Sequence, residues 1–242
     1  MTTAKQTRQG FPYGMTLATV IGLIILISLG QWQVQRLHWK QGVLASIAAL
    51  QSAPPQALTT VLAGRRPAKD LDYTKVKADC PNIEATPFVR LFTPSPSAGF
   101  RIITVCRLSG AAYGAILVDR GFVAQDAVDR LHPGQGPILS TPVVGVLRRG
   151  DTPNFLTPQN QPAQGLYYWK DIAGMAQVLG VTNVAPTFLV LQSPAPTGFG
   201  PTPQPTPVDI PNNHLGYAIT WFGLAASLLS VYLASLWRRR SS

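Results

Sequence analysis

Two long stretches of this chain carry no charge, and each is apolar over the length a membrane-spanning helix needs. No Asp, Glu, Lys or Arg falls between Arg8 and Arg36, or between Asp209 and Arg238. The first gap encloses residues 11–30 (FPYGMTLATVIGLIILISLG), which as a helix extend about 30 Å. The second encloses residues 215–237 (LGYAITWFGLAASLLSVYLASLW), about 34 Å as a helix and enough to span with some tilt. These runs dilute the charged residues to 12% of the 242, against roughly 25% in an ordinary soluble domain. With 46% hydrophobic residues the chain is not intrinsically disordered either. The predicted plan has six parts: a cytoplasmic tail over 1–10, a transmembrane helix over 11–31, and an extracytoplasmic β-rich domain over 32–192. A Pro-rich strap over 193–213, a transmembrane helix over 214–237 and a tail over 238–242 complete it.

The tails set the orientation. Lys5 and Arg8 precede the first span and Arg238, Arg239 and Arg240 follow the second, which predicts cytoplasmic termini and a domain in the periplasm. The formal charge of +10 then follows from topology and an anionic membrane surface, without nucleic acid as a partner. The first run is longer than the apolar core of a cleaved signal peptide, roughly 7–15 residues, and is read as retained. Gly14, Ala18, Gly22 and Gly30 form a small-residue stripe on it. Gly223 with Ser227, and Ala226 with Ser230 and Ala234, offer matching strips on the second span, so the two helices are expected to pack together.

Between the spans, residues 100–108 (FRIITVCRL), 113–123 (YGAILVDRGFV), 143–149 and 187–192 are rich in Val, Ile and Leu and bounded by Gly or Pro, which are strand signals. Shorter candidates are 73–77 and 88–92. Residues 32–51 read as a helix continuing the first span, and 171–179 (DIAGMAQVL) as a helix that begins at an N-cap and stops before Gly180. The expectation is a mainly β (α+β) domain, a small antiparallel barrel or sandwich with a helix laid on it. Residues 193–211, with Pro at 194, 196, 201, 203, 205, 207 and 211, predict an extended spacer.

The inventory of reactive groups is thin. Three histidines, two cysteines and scattered single carboxylates, without a nucleophile elbow, phosphate loop, zinc-protease or redox CxxC motif, do not recommend an enzyme. Cys80 and Cys106 lie in the exported domain and predict a structural disulfide; thiol redox work is the alternative.

His214 stands in the first turn of the second span, with Asn213 placed to cap it and Tyr217 and Trp221 at i+3 and i+7. An imidazole there can ligate haem iron while the porphyrin lies in the outer leaflet. It can equally be a polar helix start beside two interface anchors. At the end of the first span, Trp32, Arg36 and Lys40 follow at i+4 steps, with Gln33, His38 and Trp39 between them. Arg36 can pair with a haem propionate or snorkel to lipid phosphate.

Several motifs occur in order along the chain. They are Gly30-x-Trp32-Gln33-x-x-Arg36-x-x-x-Lys40, then Leu117-Val118-Asp119-Arg120-Gly121-Phe122-Val123, then Pro158-x-Asn160-x-Pro162 leading to Tyr168-Trp169-x-Asp171. The last is Asn213-His214-Leu215-x-Tyr217-Ala218-x-Thr220-Trp221-Phe222-x-Leu224-Ala225. This set resembles the surfeit-locus-1 family over nearly the whole chain. The resemblance implies a non-enzymatic assembly factor of the bacterial inner membrane. It would bind haem a and assist its insertion into the catalytic subunit of cytochrome c oxidase, with that subunit, the haem a synthesis machinery and the lipid bilayer as partners. It also implies that His214 is the iron ligand, with Trp221 near the macrocycle; Tyr217 and Arg36 complete the candidate site. Two alternatives stand beside it: a cofactor-free scaffold for oxidase subunits, and a thiol redox protein using Cys80 and Cys106. The chain departs from the family where Asp119 and Phe122 replace the usual Asn and Trp, where Val123-Ala124 replace a following Pro, and in having the two cysteines. Arg120 and Asp119 are expected to serve the fold of the domain.

Overall fold

The computed structural model describes residues 11–94, 98–109, 112–134, 142–193, 199–204 and 212–241. The tail residues Lys5 and Arg8, and residues 194–198 and 205–211 of the predicted strap, lie outside these. The chain divides into two compact units, one built from Met1–Ser46 and Val208–Ser242, the other from Ile47–Pro207.

The first unit holds two long helices, α1 (Tyr13–Ser52) as far as Ser46 and α5 (His214–Ser241). Both contain a stretch long and apolar enough to cross a membrane. α1 runs through Trp32 without a break because no proline interrupts it before Pro54-Pro55, and it stops just short of them. Contacts pair the start of α1 with the end of α5. The Thr16 and Tyr232 hydroxyls lie 2.7 Å apart, Gly22 faces Leu228, Gly30 faces Phe222, and Gln33 meets His214. The helices are therefore antiparallel.

On α5 the less exposed positions include His214, Ala218, Trp221, Ala225, Leu228, Tyr232 and Ser235, alternating steps of four and three, with Leu236 beside the last of them. That is the spacing of a seam in a helix pair crossing at a shallow angle. The small-residue stripes predicted from the sequence are corrected in part. Gly22 and Gly30 do receive α5 side chains, but Gly14 and Gly223 face open space. Ala18, Ala226, Ser227, Ser230 and Ala234 are exposed. Ala218 and Ala225 are the small residues of α5 buried in the seam, because they fall on its period.

The second unit is built on one sheet of eight strands: β1 (Gln56–Ala57), β2 (Lys75–Ala78), β3 (Val89–Thr93), β4 (Gly99–Arg107), β5 (Ala115–Ala124), β6 (Val143–Arg149), β7 (Leu166–Tyr167) and β8 (Val184–Ser193). Their order is β1-β2-β6-β8-β5-β4-β3-β7. The expected antiparallel barrel or sandwich is thereby corrected to a mixed sheet. β1–β2, β3–β7 and the central β5–β8 pair run parallel, and the other pairs run antiparallel.

The physical reason lies in the central strands, which are covered on both faces. Ile116 and Val118 of β5 and Leu189 and Leu191 of β8 join Leu58, Val61 and Leu62 of α2 (Leu58–Leu62) and Leu71 of α3 (Ala68–Leu71). Ala115, Leu117 and Phe188 point the other way, to Tyr167 and to Met175 and Ala176 of α4 (Ile172–Val178). Runs apolar on both faces suit a covered sheet that admits parallel pairing. Pro186 has no N–H for the ladder and is accommodated by a bulge, where the five residues of β8 from Val184 to Phe188 lie opposite the three of β5 from Ala115 to Leu117.

The motif segments serve this unit as clasps. Asn160 Oδ1 accepts the Tyr168 and Trp169 N–H groups at 2.8 and 3.3 Å, and Asp171 caps α4 by accepting the Gly174 N–H at 3.0 Å. Asp119, fully buried, pairs with Arg101 Nε at 2.5 Å rather than with its neighbour Arg120, and also accepts the Gly121 N–H at 3.1 Å. Arg120 is buried on the opposite face. Burial lowers its pKa, and the nearby charge of Glu84 works against that shift. Part of the predicted strap is bound to the sheet: Phe122 N–H donates to Thr202 O at 2.8 Å, and Thr202 N–H donates back at 2.9 Å. Gly121, at φ +118°, allows this approach, since a Cβ there would collide with the Thr202 backbone.

Cys80 and Cys106 are joined as a disulfide, and both sulfurs are buried in the core beside Ile83 and Val118. Closing a loop of this size, 26 residues in sequence separation, constrains the unfolded chain by about 3 kcal/mol. Cys80→Ser/Cys106→Ser should lower unfolding stability by that order, read from denaturant midpoints of the full chain. Tyr167 gives the opposite sign. It is fully buried with a hydroxyl lacking a hydrogen-bond partner among the described residues, and burial together with Asp171 raises its pKa. Tyr167→Phe removes that unpaired group and should stabilise the chain by about 1 kcal/mol in the same measurement.

A candidate haem-ligand site on the helix pair

His214 is the first residue of α5. The Asn213 carbonyl accepts the Tyr217 N–H at 3.3 Å, which places Asn213 at the N-cap. The imidazole is half-buried on the inner face of α5 and meets the last apolar turns of α1. Its Nδ1 lies 2.6 Å from Gln33 Oε1, and the Trp32 ring stands edge-on to it, 6.4 Å between centroids at 88°.

The remaining sequence candidates are placed unequally. Trp221 is half-buried on the same inner face, two turns further along α5. Tyr217 is 57% exposed and turns away from the seam. Among the described residues no ring contact joins either of them to His214; the aromatic partner is Trp32 of the other helix. Arg36, one turn beyond Gln33, lies against two indoles, with Cζ 5.8 Å from the Trp32 centroid and 5.5 Å from that of Trp39. Cation–π contact holds its guanidinium on this face of α1. Cys80 and Cys106 belong to the other unit, and their burial leaves no exposed sulfur for thiol exchange.

Gln33 and Trp32 are the residues whose role the sequence did not show. Both stand in the first motif, yet the partner of Gln33 lies 181 positions away. The available signal was a polar side chain on the inward face where an apolar helix ends, which marks functional positions in such helices.

The site can be tested against the group the resemblance implies. No cluster of three or more His, Cys, Asp or Glu gathers among the described residues, so a metal held only by protein ligands does not fit. A metal that brings its own four nitrogens needs only one axial donor. With the Gln33 amide oxygen turned toward the ring, the Nδ1–H tautomer is the one that makes this hydrogen bond, and it leaves the lone pair on Nε2. Apolar side chains on the two helices are exposed at the helix surface: Ile27, Leu215 and Ile219, 40%, 56% and 65% respectively. Arg36 supplies a cation for a carboxylate. The residues fit a haem. By contrast, the cleft of about 600 Å³ in the β unit is lined by Lys77, Arg107 and Asp79 with Leu58 and Leu108, and includes no imidazole or thioether.

Comparison with known proteins agrees with the resemblance. Residues 20–226 match the model of the SURF1 family. The chain is 30% identical to surfeit locus protein 1 of Xenopus tropicalis over 222 residues, 84% of this chain and 70% of that one. It is also 30% identical to the Rattus norvegicus protein of the same name, over 87% of this chain and 72% of that one. A SURF1-like protein of Rickettsia conorii is 28% identical over 91% of this chain and 89% of its own length. With a family model covering most of its length and relatives matched over more than two thirds of theirs, the chain belongs to the SURF1 family.

Proposed function

We propose that the chain is a cytochrome c oxidase assembly factor of the bacterial inner membrane, without enzymatic activity of its own, which binds haem a through His214 and assists its insertion into the catalytic subunit. The observation that carries this reading is the Gln33–His214 contact, which supports an imidazole held by Nδ1 with Nε2 free to bind iron. Family membership supports the assembly role, and the two apolar helices support a membrane setting. In this reading α1 and α5 span the bilayer, both termini are cytoplasmic with Arg238, Arg239 and Arg240 at that surface, and the β unit is periplasmic. When bound, haem a would supply an iron centre and two carboxylates. His214 holds the iron, Trp32 limits the swing of the imidazole, Arg36 neutralises a propionate, and the outward Ile and Leu side chains exclude water from the ring. The partners are the catalytic subunit of the oxidase, the haem a synthesis machinery and the surrounding lipid.

The test is an absorption spectrum of the full chain purified from cells with and without haem a synthesis. A Soret band present only in the first preparation is the expected result, and a colourless protein from both rejects the carrier role.

A second reading, a scaffold without cofactor, draws on one surface feature. Phe155 and Leu156 are 93% and 76% exposed at the tip of a turn. The turn is pinned by Asn154 and Thr157: Leu156 N–H donates to Asn154 Oδ1 at 2.9 Å, and Asn154 N–H donates to Thr157 Oγ1 at 3.0 Å. A rigid apolar tip suits a protein contact. A colourless chain that still rescues oxidase assembly favours this reading.

A further inference from the structure

Gln33 does more than lie beside the candidate ligand. Its amide oxygen is 2.6 Å from His214 Nδ1, and the Trp32 ring stands perpendicular to the same imidazole, 6.4 Å between centroids. Free imidazole side chains prefer the opposite tautomer, with the proton on Nε2. In that form the ring would offer Nδ1, the nitrogen next to the backbone, and Nε2 could not bind a metal. A short hydrogen bond to an oxygen that can only accept reverses this preference, and the scarcity of water on an apolar helix surface strengthens the effect.

We propose that Gln33 is a positioning residue for His214. It fixes the Nδ1–H tautomer so that Nε2 alone is offered to a metal, and its neutral amide keeps that nitrogen a moderate donor suited to release. The second half rests on the haem reading above; the first concerns the chain without any cofactor. Outer partners of a metal-ligating histidine orient the ring and set its basicity. A carboxylate at this position would draw the proton toward itself and give the ring imidazolate character, tightening its hold on iron. An amide carbonyl orients the ring equally well but adds little basicity. A protein that must pass its cargo on gains from the weaker acceptor.

The tautomer is read directly by nitrogen NMR of the full chain in lipid nanodiscs, labelled at histidine and free of haem. His214 is distinguished from His38 and His132 by the signal lost in His214→Ala. Wild type should show Nδ1–H as the major form, and Gln33→Leu should shift the ratio toward Nε2–H by about tenfold. Equal ratios in the two proteins overturn the positioning role. For donor strength, haem-loaded wild type and Gln33→Glu are mixed with an excess of apoglobin as acceptor. Transfer from Gln33→Glu should be slower by about tenfold, with a lower iron midpoint potential. Transfer and potential unchanged overturn the tuning role. If wild type takes up no haem, the tuning half falls with the carrier reading, while the tautomer ratio still decides the first half.

Discussion

Replacing His214 with alanine should strip the pigment from the purified chain while leaving the helix pair assembled. In the proposed reading the imidazole is the donor to iron, and no group of three or more His, Cys, Asp or Glu gathers among the described residues to replace it. The seam does not depend on it, since Thr16–Tyr232, Gly22–Leu228 and Gly30–Phe222 all lie further along α5. Loss of an outer-shell partner of a metal ligand alone weakens binding roughly 10- to 100-fold, so loss of the donor itself should reduce Soret absorbance per chain by more than about tenfold. The measurement is the spectrum of wild type and His214→Ala produced side by side with haem a synthesis, with chain yield as the control for folding. Full pigment in the variant would move the ligand elsewhere and return the function to the scaffold reading.

The largest expected loss of stability is at Asp119. Its carboxylate is fully buried, paired with Arg101 at 2.5 Å and accepting the Gly121 N–H, in the strand at the centre of the sheet. Asp119→Ala leaves the Arg101 guanidinium, 13% exposed, without its counter-charge and removes the acceptor of the Gly121 amide. Breaking one side of a buried pair costs roughly 3–5 kcal/mol, a large part of the stability of a typical domain. Asp119→Asn keeps an acceptor oxygen for Gly121 and loses only the charge, so it should cost clearly less. Thermal unfolding of the full chain in detergent, followed by circular dichroism, ranks the three proteins; equal midpoints would remove the pair from any role in holding the sheet.

The same segment shows how far sequence reading reached. Residues 113–123 are visible as a strand because apolar and β-branched residues are dense there, and so are five of the other strands. Their direction of pairing was not visible. Parallel pairing of β5 with β8 depends on which segments cover each face, and that is decided by α2, α3 and α4 together. β1 and β7, two residues each, carry too little pattern to register. In the helices, length and lack of charge made both elements plain, but small residues alone did not identify the contact face. The seam period did, and it favours Ala218 and Ala225 over Gly223 and Ala226. At the candidate site, His214 stands out as an imidazole at the start of an apolar helix. Gln33 gains meaning only when the fold brings α1 and α5 side by side, because no local rule links positions so far apart.

Thr16–Tyr232 and Gln33–His214 lie near opposite ends of the α1–α5 seam, about 26 Å apart along either helix. Sliding one helix past the other by a turn would break both polar contacts together and drive Phe222 off Gly30. Register in this pair is therefore set like a ruler fastened at two marks. The far fastening thereby helps keep the amide of Gln33 opposite His214, so that a change at one mark is carried to the other.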